Sequence, residues 1–293
     1  MSIAVVTDSA ADLNPAFCEQ HRVSVVPLTI EYGGQSYQDR VDLEPEDFLS
    51  DLPHLRDVPK TAAPSPGAFL DVYQRRLEAG LQGILSVHLA GGLSATVRAA
   101  EAASRMVDGP VQVVDGESAS LGTGLLVWWA ARRAANGVSL DGLAAEVTRL
   151  KSQLFALAAP VTLEYLARGG RIGQAARLVG TLLDMKPILI LEQGIFRPER
   201  KVRGEQQIVP AMLASAAQRV PAGSPVLAAL GHCGMTDAHQ KLMDAVNDRY
   251  QVLGWLEGVI GPVISTHVGP GAYGLIMLPL THDQKEQFQE VGS

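Results

Sequence analysis

The sequence predicts an α/β protein with two domains, an N-terminal domain built on a parallel sheet and a C-terminal α/β domain with a mixed sheet. Its 293 residues, 47% of them hydrophobic, suffice for one large core or two modest ones. The first half alternates four times between strand-like and helix-like patterns, and the second half adds a hairpin to further strand and helix patterns. We place the boundary after residue 153, which gives domains of residues 1–153 and 154–293.

Short apolar runs in the first half are typical of buried strands, and each is followed by a polar segment. The predicted strands are residues 3–6, 23–32, 85–89 and 111–114. Because the carboxyl ends of parallel strands meet at one edge of a sheet, the polar residues that follow them are expected to lie close together. In open α/β sheets, that edge is where ligands bind.

Residues 85–106 have the pattern of a strand, a tight glycine loop and a helix. Gly91 and Gly92 let the backbone turn sharply, and Ser94 is a favourable N-cap for the helix. A helix N-terminus presents unpaired N–H groups and a partial positive charge, which suits an anion. An ordinary strand-to-helix turn capped by Ser94 explains the same residues.

Two other polar segments of the first half each allow two interpretations. Asp8 either lines a site or caps the turn after the first strand, and its position favours capping. The prolines of residues 59–66 exclude a regular helix and indicate a stiff, extended loop. That loop is either a plain connector or a support that holds the hydroxyl groups of Thr61 and Ser65 in place.

In the second half, the glycines of residues 169–173 are expected to end one helix and permit the next. The apolar stripe of that next helix includes Val179 and continues through Leu182 and Leu183. Arg171 is expected to tie the glycine turn to a carbonyl or a carboxylate group. Further along the chain, Thr236 is a candidate helix cap.

A small basic cluster of Arg200, Lys201 and Arg203 follows a predicted hairpin of residues 187–197. A solvated sheet edge is the ordinary explanation of such a cluster. A docking site for an acidic partner or a phosphate group is the alternative.

His267 is the most site-like histidine, because it directly precedes the glycine-proline corner of residues 269–274. This corner satisfies GxGxxG literally, but Pro270 stiffens it and a strand is predicted to follow where a nucleotide site requires a helix. The sequence also contains no GxxxxGK[ST] motif, so we expect no intrinsic ATP-binding P-loop.

Composition excludes several classes of protein. The formal charge of −7 and the absence of a basic tract argue against a nucleic-acid surface. Cys18 and Cys233 are far apart and lack ligand spacing, so neither a disulfide framework nor a metal site is expected, and a reducing cytoplasm fits best. The longest apolar stretch, residues 121–131, is too short to cross a bilayer, and the N-terminus lacks the pattern of a secretion signal.

Five segments, in order along nearly the whole chain, resemble the DegV family of bacterial lipid-binding proteins. They are residues 7–9, 61–66, 91–96, 169–173 and 266–274. The resemblance implies a fold in which a tunnel between two α/β domains encloses one long-chain fatty acid, with no other cofactor. The carboxylate ligands would be Thr61, Ser94 and His267.

The family also resembles the fatty-acid-binding subunit of bacterial fatty acid kinase, which serves phospholipid metabolism. Such a subunit presents the carboxylate to a separate ATP-dependent kinase subunit for acyl-phosphate formation and has no turnover of its own. Arg171, Lys201 and Arg203 would then lie near the exit or the kinase-docking face, and contact with a membrane would be transient.

The chain departs from the usual SGLSGT-like run of the family, since Gly91 removes a donor and Ala95 tightens the turn. Ala62 likewise replaces a commonly polar neighbour of Thr61.

An alternative function is a serine hydrolase or acyltransferase that uses Ser94 with His267, although the sequence has no GxSxG elbow. A sugar or nucleotide enzyme on the same α/β edge is a third possibility that fold alone leaves open.

Overall fold

A computed structural model describes residues 2–55, 57–180, 185–234 and 237–290. Its strands are β1 (Ile3–Asp8), β2 (Val23–Val26), β3 (Thr29–Tyr32), β4 (Gln35–Gln38), β5 (Lys60–Ala62), β6 (Gly83–His88), β7 (Val111–Asp115), β8 (Phe155–Ala159), β9 (Met185–Glu192), β10 (Ile195–Arg203), β11 (Pro225–His232), β12 (Gln251–Val259) and β13 (Tyr273–Pro279). Its helices are α1 (Pro15–Gln20), α2 (Pro45–Asp51), α3 (Pro66–Glu78), α4 (Thr96–Ser104), α5 (Leu121–Ala135), α6 (Leu140–Lys151), α7 (Glu164–Arg168), α8 (Ile208–Arg219), α9 (Ala238–Arg249), α10 (Pro262–Val268) and α11 (His282–Gln289).

The first half contains the predicted parallel sheet, with strand order β2-β1-β6-β7. The polar segments after β1, β6 and β7 meet at its carboxyl edge, as expected. Asp8 contacts His88 there, and the amide of Ala90 donates to the carbonyl of Ser118 at 2.7 Å. The amide of Gly91 donates to the carboxylate of Asp115 at 3.1 Å. This edge therefore positions the glycine loop after β6.

A small antiparallel sheet of order β4-β3-β5 lies beside that edge. The exclusion of helix is confirmed for residues 59–65 but is wrong at Pro66, which is the first residue of α3, where a proline lacks only an N–H that the helix would leave unpaired. The prediction of a loop is also wrong for Lys60–Ala62, which form β5 opposite β3. Pro59 and Pro64 flank the paired residues without occupying a ladder position, so they do not prevent pairing. Thr61 therefore lies on a strand, opposite Ile30.

The second half is built on a mixed sheet of order β10-β9-β8-β13-β11-β12. Strands β11 and β12 are parallel, and the other pairs are antiparallel. The predicted hairpin is confirmed and extends to the full length of β9 and β10. Strand β12 and helix α11 were not predicted. Gly254 interrupts the apolar pattern of β12 because the Trp128 ring packs there, and a Cβ atom on Gly254 would lie 2.3 Å from that ring.

The helix predicted to follow the glycines is wrong in extent, since residues Gly173–Leu178 form only a short 3-10 helix. Val179, placed on its apolar stripe, is 57% exposed. Leu182, Leu183 and the proposed cap Thr236 lie outside the described residues.

One buried apolar cluster joins the two halves of the chain. Val5 and Leu85 from the parallel sheet share it with Leu189, Leu227 and Ile276 from the mixed sheet. The other face of the mixed sheet packs on α8 and α9 through a separate cluster. Among the described residues, none of the helices combines the length and apolar character needed to cross a bilayer.

A polar junction centred on Asp12 fixes the two halves at a second place. The carboxylate of Asp12 accepts hydrogen bonds from the Ser120 hydroxyl at 2.5 Å and from the Gly261 amide at 2.9 Å. Arg40 lies 3.3 Å from the same carboxylate and donates to the carbonyl of Val259 at 2.7 Å. Since Gly261 is the N-cap residue of α10, the junction positions this helix against the first half.

We expect Asp12→Ala to lower the free energy of unfolding by about 3 kcal/mol, because it removes the buried acceptor of the Ser120 hydroxyl and the Gly261 amide and the carboxylate that offsets the charge of Arg40. The exposed Asp248→Ala change on α9 should cost less than about 0.5 kcal/mol and serves as the control. Urea denaturation of both variants measures the difference. Equal losses would contradict the role of the junction.

Candidate functional site

The structure brings Thr61, Ser94 and His267 together on the wall of one cavity. This cavity, which we call the outer compartment, has a volume of about 270 Å³ and lies between the parallel sheet and α10. Thr61 comes from β5, Ser94 from the glycine loop after β6, and His267 from the last turn of α10. Arg171 also lines it. Most of the remaining wall is apolar, and includes Leu28, Leu89, Leu93, Val263, Ile264 and Val268.

Thr61 and His267 form a direct pair, with 2.9 Å between Thr61 Oγ1 and His267 Nε2. The other ring nitrogen, Nδ1, is buried and has no hydrogen-bond partner among the described residues. We assign the proton to Nε2, because the opposite tautomer would bury an N–H donor without an acceptor. Nε2 then donates to Thr61 Oγ1, and the Thr61 hydroxyl is left to donate to a ligand.

The imidazole of His267 is held in place by a glycine. A Cβ atom on Gly169 would lie 2.1 Å from Nδ1, so any larger residue there would displace the ring. Burial, together with the positive charge of Arg171, lowers the pKa of His267 to about 4. His267 is therefore a neutral group at physiological pH.

Ser94 does not cap the helix as predicted. Helix α4 begins at Thr96, Ala95 occupies the N-cap position, and no side chain caps it. The turn of residues 91–94 delays the start of the helix beyond Ser94. The Ser94 hydroxyl instead contacts the Thr96 hydroxyl at 2.8 Å and accepts a weak hydrogen bond from the Thr96 amide at 3.3 Å. In the described structure, Ser94 and His267 each pair with a threonine and not with one another, so the arrangement lacks the Ser-His contact of a hydrolase.

Arg171 makes the structural contacts that its position in the glycine turn predicts. Its guanidinium donates to the carbonyl of Leu93 at 3.1 Å and to that of Gly169 at 2.7 Å. It thereby ties the glycine turn of the second half to the glycine loop of the first. Its charge also faces the outer compartment, where it favours an anionic ligand.

A second, smaller cavity of about 60 Å³ adjoins the first, and we call it the inner compartment. The two share Ala119, Phe196, Ile264 and Val268 in their walls. The wall of the inner compartment consists almost entirely of apolar side chains and backbone, contributed by strands of the mixed sheet and by neighbouring segments that include α10. Together the compartments make a polar mouth that leads to an apolar interior, the form typical of small-molecule sites.

Lys201 and Arg203 do not line either compartment but lie exposed on the edge strand β10. Lys201 pairs with Pro187, and Phe196 pairs with Leu191. Paired residues of antiparallel strands point to the same face, so Lys201 and Arg203 share the sheet face of Phe196. Lys201 and Arg203 therefore border the face that contains the compartments. Arg200 points to the opposite face, where it pairs with Ile188 and donates to the Ser215 hydroxyl of α8 at 2.7 Å.

Sequence reasoning missed a buried chain of hydrogen bonds that has the residue types of a catalytic triad. His88 lies 2.9 Å from the Asp8 carboxylate and 2.7 Å from Ser86 Oγ, which accepts from the Tyr73 hydroxyl at 2.8 Å. All four side chains are fully buried and line neither compartment. Asp8 also accepts from the amides of Ala10 and Leu89, which confirms its capping role.

The serine-x-histidine spacing of Ser86 and His88 in one strand was the available signal, because alternate residues of a strand share a face. Complete burial gives the chain of hydrogen bonds a structural role, since a substrate cannot reach it. It anchors the end of β6, from which the glycine loop begins.

A large concavity of about 1210 Å³ lies at the opposite, amino-terminal end of the parallel sheet. Arg76 and Arg132 line it, in the last turns of α3 and α5, where cations offset the partial negative charge of helix ends. The positions of Arg76 and Arg132 are therefore explained by the helix ends on which they lie, without a ligand. In the described residues, no three His, Cys, Asp or Glu side chains converge as metal ligands do.

His267 should make the stability of the lipid-free protein depend on pH. Its folded pKa, about 4, lies below the ordinary 6.5, so the unfolded chain takes up the proton first as pH falls. The contribution of the neutral His267 imidazole to the free energy of unfolding is therefore fully present above pH 6.5 and is lost as the pH falls towards 4. We expect the unfolding free energy of the wild type to fall more steeply across this window than that of His267→Gln. Parallel pH profiles in denaturant titrations would contradict the assignment.

Comparison with known proteins gives the chain a family. The DegV family model, described as an uncharacterised protein family, matches residues 2–280. A DegV domain-containing protein of Deinococcus radiodurans is 35% identical over 284 residues, which cover 96% of this chain and 100% of that protein. A DegV domain-containing protein of Halalkalibacterium halodurans is 33% identical over 275 residues, covering 93% and 97%.

Solved structures agree with this similarity. A DegV family protein from Thermus thermophilus, described as binding fatty acid, superposes with a TM-score of 0.91 at 35% identity, covering 96% of this chain and 100% of that one. DegV from Bacillus subtilis, described as a fatty acid binding protein, gives a TM-score of 0.84 at 29% identity with coverage of 96% and 100%. The chain described here belongs to the DegV family.

Proposed function

We propose that this protein binds one long-chain fatty acid, with its carboxylate at Thr61, Ser94 and His267 and its tail directed into the inner compartment. The observation that carries the proposal is the joining of a polar mouth to an apolar interior between the two halves. The similarity to DegV proteins described as fatty acid binding supports it.

The tail supplies most of the affinity. Burial of each methylene group is worth about 0.8 kcal/mol, so a tail of about 14 methylenes contributes roughly 11 kcal/mol before ordering costs are subtracted. The apolar walls of both compartments accept such a tail without leaving a polar group unpaired. A polar ligand of the same size would lose its hydrogen bonds to water there.

The carboxylate requires donors because it loses its water on entry. The hydroxyl groups of Thr61 and Ser94 supply them, and His267 orients the first of these. The nearby guanidinium of Arg171 is engaged with two carbonyl groups, so it adds a favourable charge without forming a salt bridge that would mask the carboxylate.

A carboxylate held by neutral donors keeps an oxygen available for chemistry performed by another protein. We propose that the chain presents the fatty acid in the cytoplasm to a separate ATP-dependent kinase subunit for acyl-phosphate formation, as in phospholipid metabolism. The chain itself has no P-loop, which supports a role without turnover of its own. Beyond the fatty acid, we propose no cofactor, and any contact with a membrane is transient.

Solvent extraction of the purified protein followed by mass spectrometry tests the binding proposal, with one fatty acid per chain expected. Thr61→Val, Ser94→Ala and His267→Ala should each weaken retention about 10- to 100-fold, since each loses a hydrogen bond to the charged head group or its orientation. Ser104→Ala and His282→Ala, away from the cavity, are the matched controls. Wild-type retention in all three site variants would refute the assignment.

The docking of the kinase is tested separately. We expect the double variant Lys201→Glu/Arg203→Glu to retain fatty acid normally but to support acyl-phosphate formation at least tenfold less with the kinase subunit, because charge reversal repels an acidic partner. The double variant Arg98→Glu/Arg105→Glu, at exposed positions on α4 and at its C-cap, controls for the change in net charge because it reverses the same number of positive charges. Equal rates for both would place the docking face elsewhere.

A further inference from the structure

Among the described residues, the Ser94 hydroxyl makes two hydrogen-bond contacts, and both are with Thr96. The Thr96 amide donates to Ser94 Oγ at 3.3 Å, and the two hydroxyl oxygens lie 2.8 Å apart. Ser94 lines the outer compartment, whereas Thr96 is fully buried and lines neither compartment. Thr96 therefore reaches a ligand in the cavity only through Ser94.

Burial decides which of the two hydroxyl groups donates to the other. Within the part of the chain that the structure describes, Thr96 Oγ1 has no hydrogen-bond partner besides Ser94 Oγ. If Ser94 were the donor, the Thr96 proton would be buried without an acceptor, which costs free energy. We therefore assign the proton of this contact to Thr96, by the same rule that places the proton of His267 on Nε2.

This assignment leaves the Ser94 hydroxyl as a donor. A hydroxyl group has one proton and two lone pairs. The hydroxyl and the amide of Thr96 both donate to Ser94 Oγ and so occupy its lone pairs. The Ser94 proton then has no acceptor among the described residues and is available to a ligand in the outer compartment.

The backbone around Ser94 is fixed, so its hydroxyl depends on Thr96 for its orientation. The Ser94 amide donates to the carbonyl of Ala90 at 3.1 Å, and Arg171 donates to the carbonyl of Leu93 at 3.1 Å. In the loop of residues 91–96, Ser94 and Thr96 are the two residues with a polar side chain. Thr96 is also the first residue of α4, which holds its side chain in the core.

The two hydroxyl groups of the mouth are thus held in the same way. Thr61 accepts from the buried imidazole of His267, and Ser94 accepts from the buried hydroxyl of Thr96. Each is left to donate its own proton to the ligand. A carboxylate has only acceptors and satisfies both donors, whereas an alcohol brings a proton that finds no free lone pair on Ser94.

We propose that Thr96 is a positioning residue that keeps the Ser94 hydroxyl a donor, so that the mouth selects a carboxylate over a head group that carries its own proton. This inference rests on the proposed fatty acid binding. It assigns a role in recognition to a side chain that does not touch the ligand.

The test measures the affinity of lipid-free variants for a long-chain fatty acid and for the alcohol of the same chain length by titration calorimetry. Thr96→Val removes the donor at nearly constant volume and should weaken binding of the acid about 3- to 10-fold, because the Ser94 hydroxyl is no longer held as a donor. Affinity for the alcohol should change less than about twofold, since the alcohol donates to the lone pair that Thr96 vacates. The ratio of the two affinities should fall at least about threefold.

Two further variants separate positioning from packing. Thr96→Ser keeps the hydroxyl and should bind the acid within about twofold of the wild type. Thr123→Val is the matched control, because Thr123 is a buried residue of α5 that lines neither compartment and whose hydroxyl has no partner among the described residues. It should keep the wild-type affinity for both ligands.

A double variant tests whether Thr96 acts through Ser94. In the Ser94→Ala background, Thr96→Val should lower the affinity for the acid by less than about a further twofold. A full additional loss there would overturn the inference, as would unchanged binding of the acid by Thr96→Val or an equal loss for acid and alcohol. Failure of the wild type to bind the acid would instead refute the proposed function.

A measurement on the wild type alone covers the case in which Thr96→Val does not fold. In a crystal structure of the protein with bound fatty acid, Ser94 Oγ should lie within hydrogen-bond distance of both Thr96 Oγ1 and a carboxylate oxygen. A carboxylate bound by Ser94 with the Thr96 hydroxyl turned away would overturn the inference while leaving fatty acid binding intact.

Discussion

The structure depends on one apolar core that two sheets share but do not fill completely. Leucine and isoleucine side chains from both sheets pack it over most of its extent, whereas Ala119, Ala156 and Ala158 leave space beside α10. The Asp12 junction keeps α10 in register with the first half, so the space persists as a cavity between two fixed walls. Unfilled volume in a core lowers the free energy of unfolding because the side chains around it lack packing contacts. A ligand that fills the volume supplies those contacts.

Under the proposed function, the mouth of this cavity would hold a carboxylate through neutral donors and not through a salt bridge to Arg171. Burial keeps His267 neutral, and its assigned tautomer turns the Thr61 hydroxyl towards the cavity. Arg171 donates its hydrogen bonds to the carbonyl groups of Leu93 and Gly169 and so joins the two glycine segments beside the site. Its positive charge acts on the site without a direct hydrogen bond. Under the proposed function, the apolar walls would supply the binding strength and the neutral donors would keep the carboxylate available for chemistry.

Much of the fold was predictable because the strands of the parallel sheet are short apolar runs, and because Gln193 and Gly194 mark the turn between β9 and β10. Strand β12 escaped prediction because Gly254 makes room for Trp128, a contact between distant segments. Thr61 and Ser94 were singled out by local pattern, but their surroundings were not predictable. Residue Thr61 is on a strand because β3 pairs with it, and Ser94 misses the cap because the turn continues to Ala95. The pairing of His88 with Asp8 likewise joins residues 80 positions apart.

The most direct measurement is a crystal structure of the lipid-free protein reloaded with a long-chain fatty acid that carries bromine on its last carbon. Anomalous scattering locates the bromine, and the electron density places the carboxylate. The account predicts a carboxylate within hydrogen-bond distance of Thr61 and Ser94, with the bromine in the inner compartment. A fatty acid in the large concavity at the amino-terminal end of the parallel sheet, or a tail that leaves both compartments empty, would contradict it.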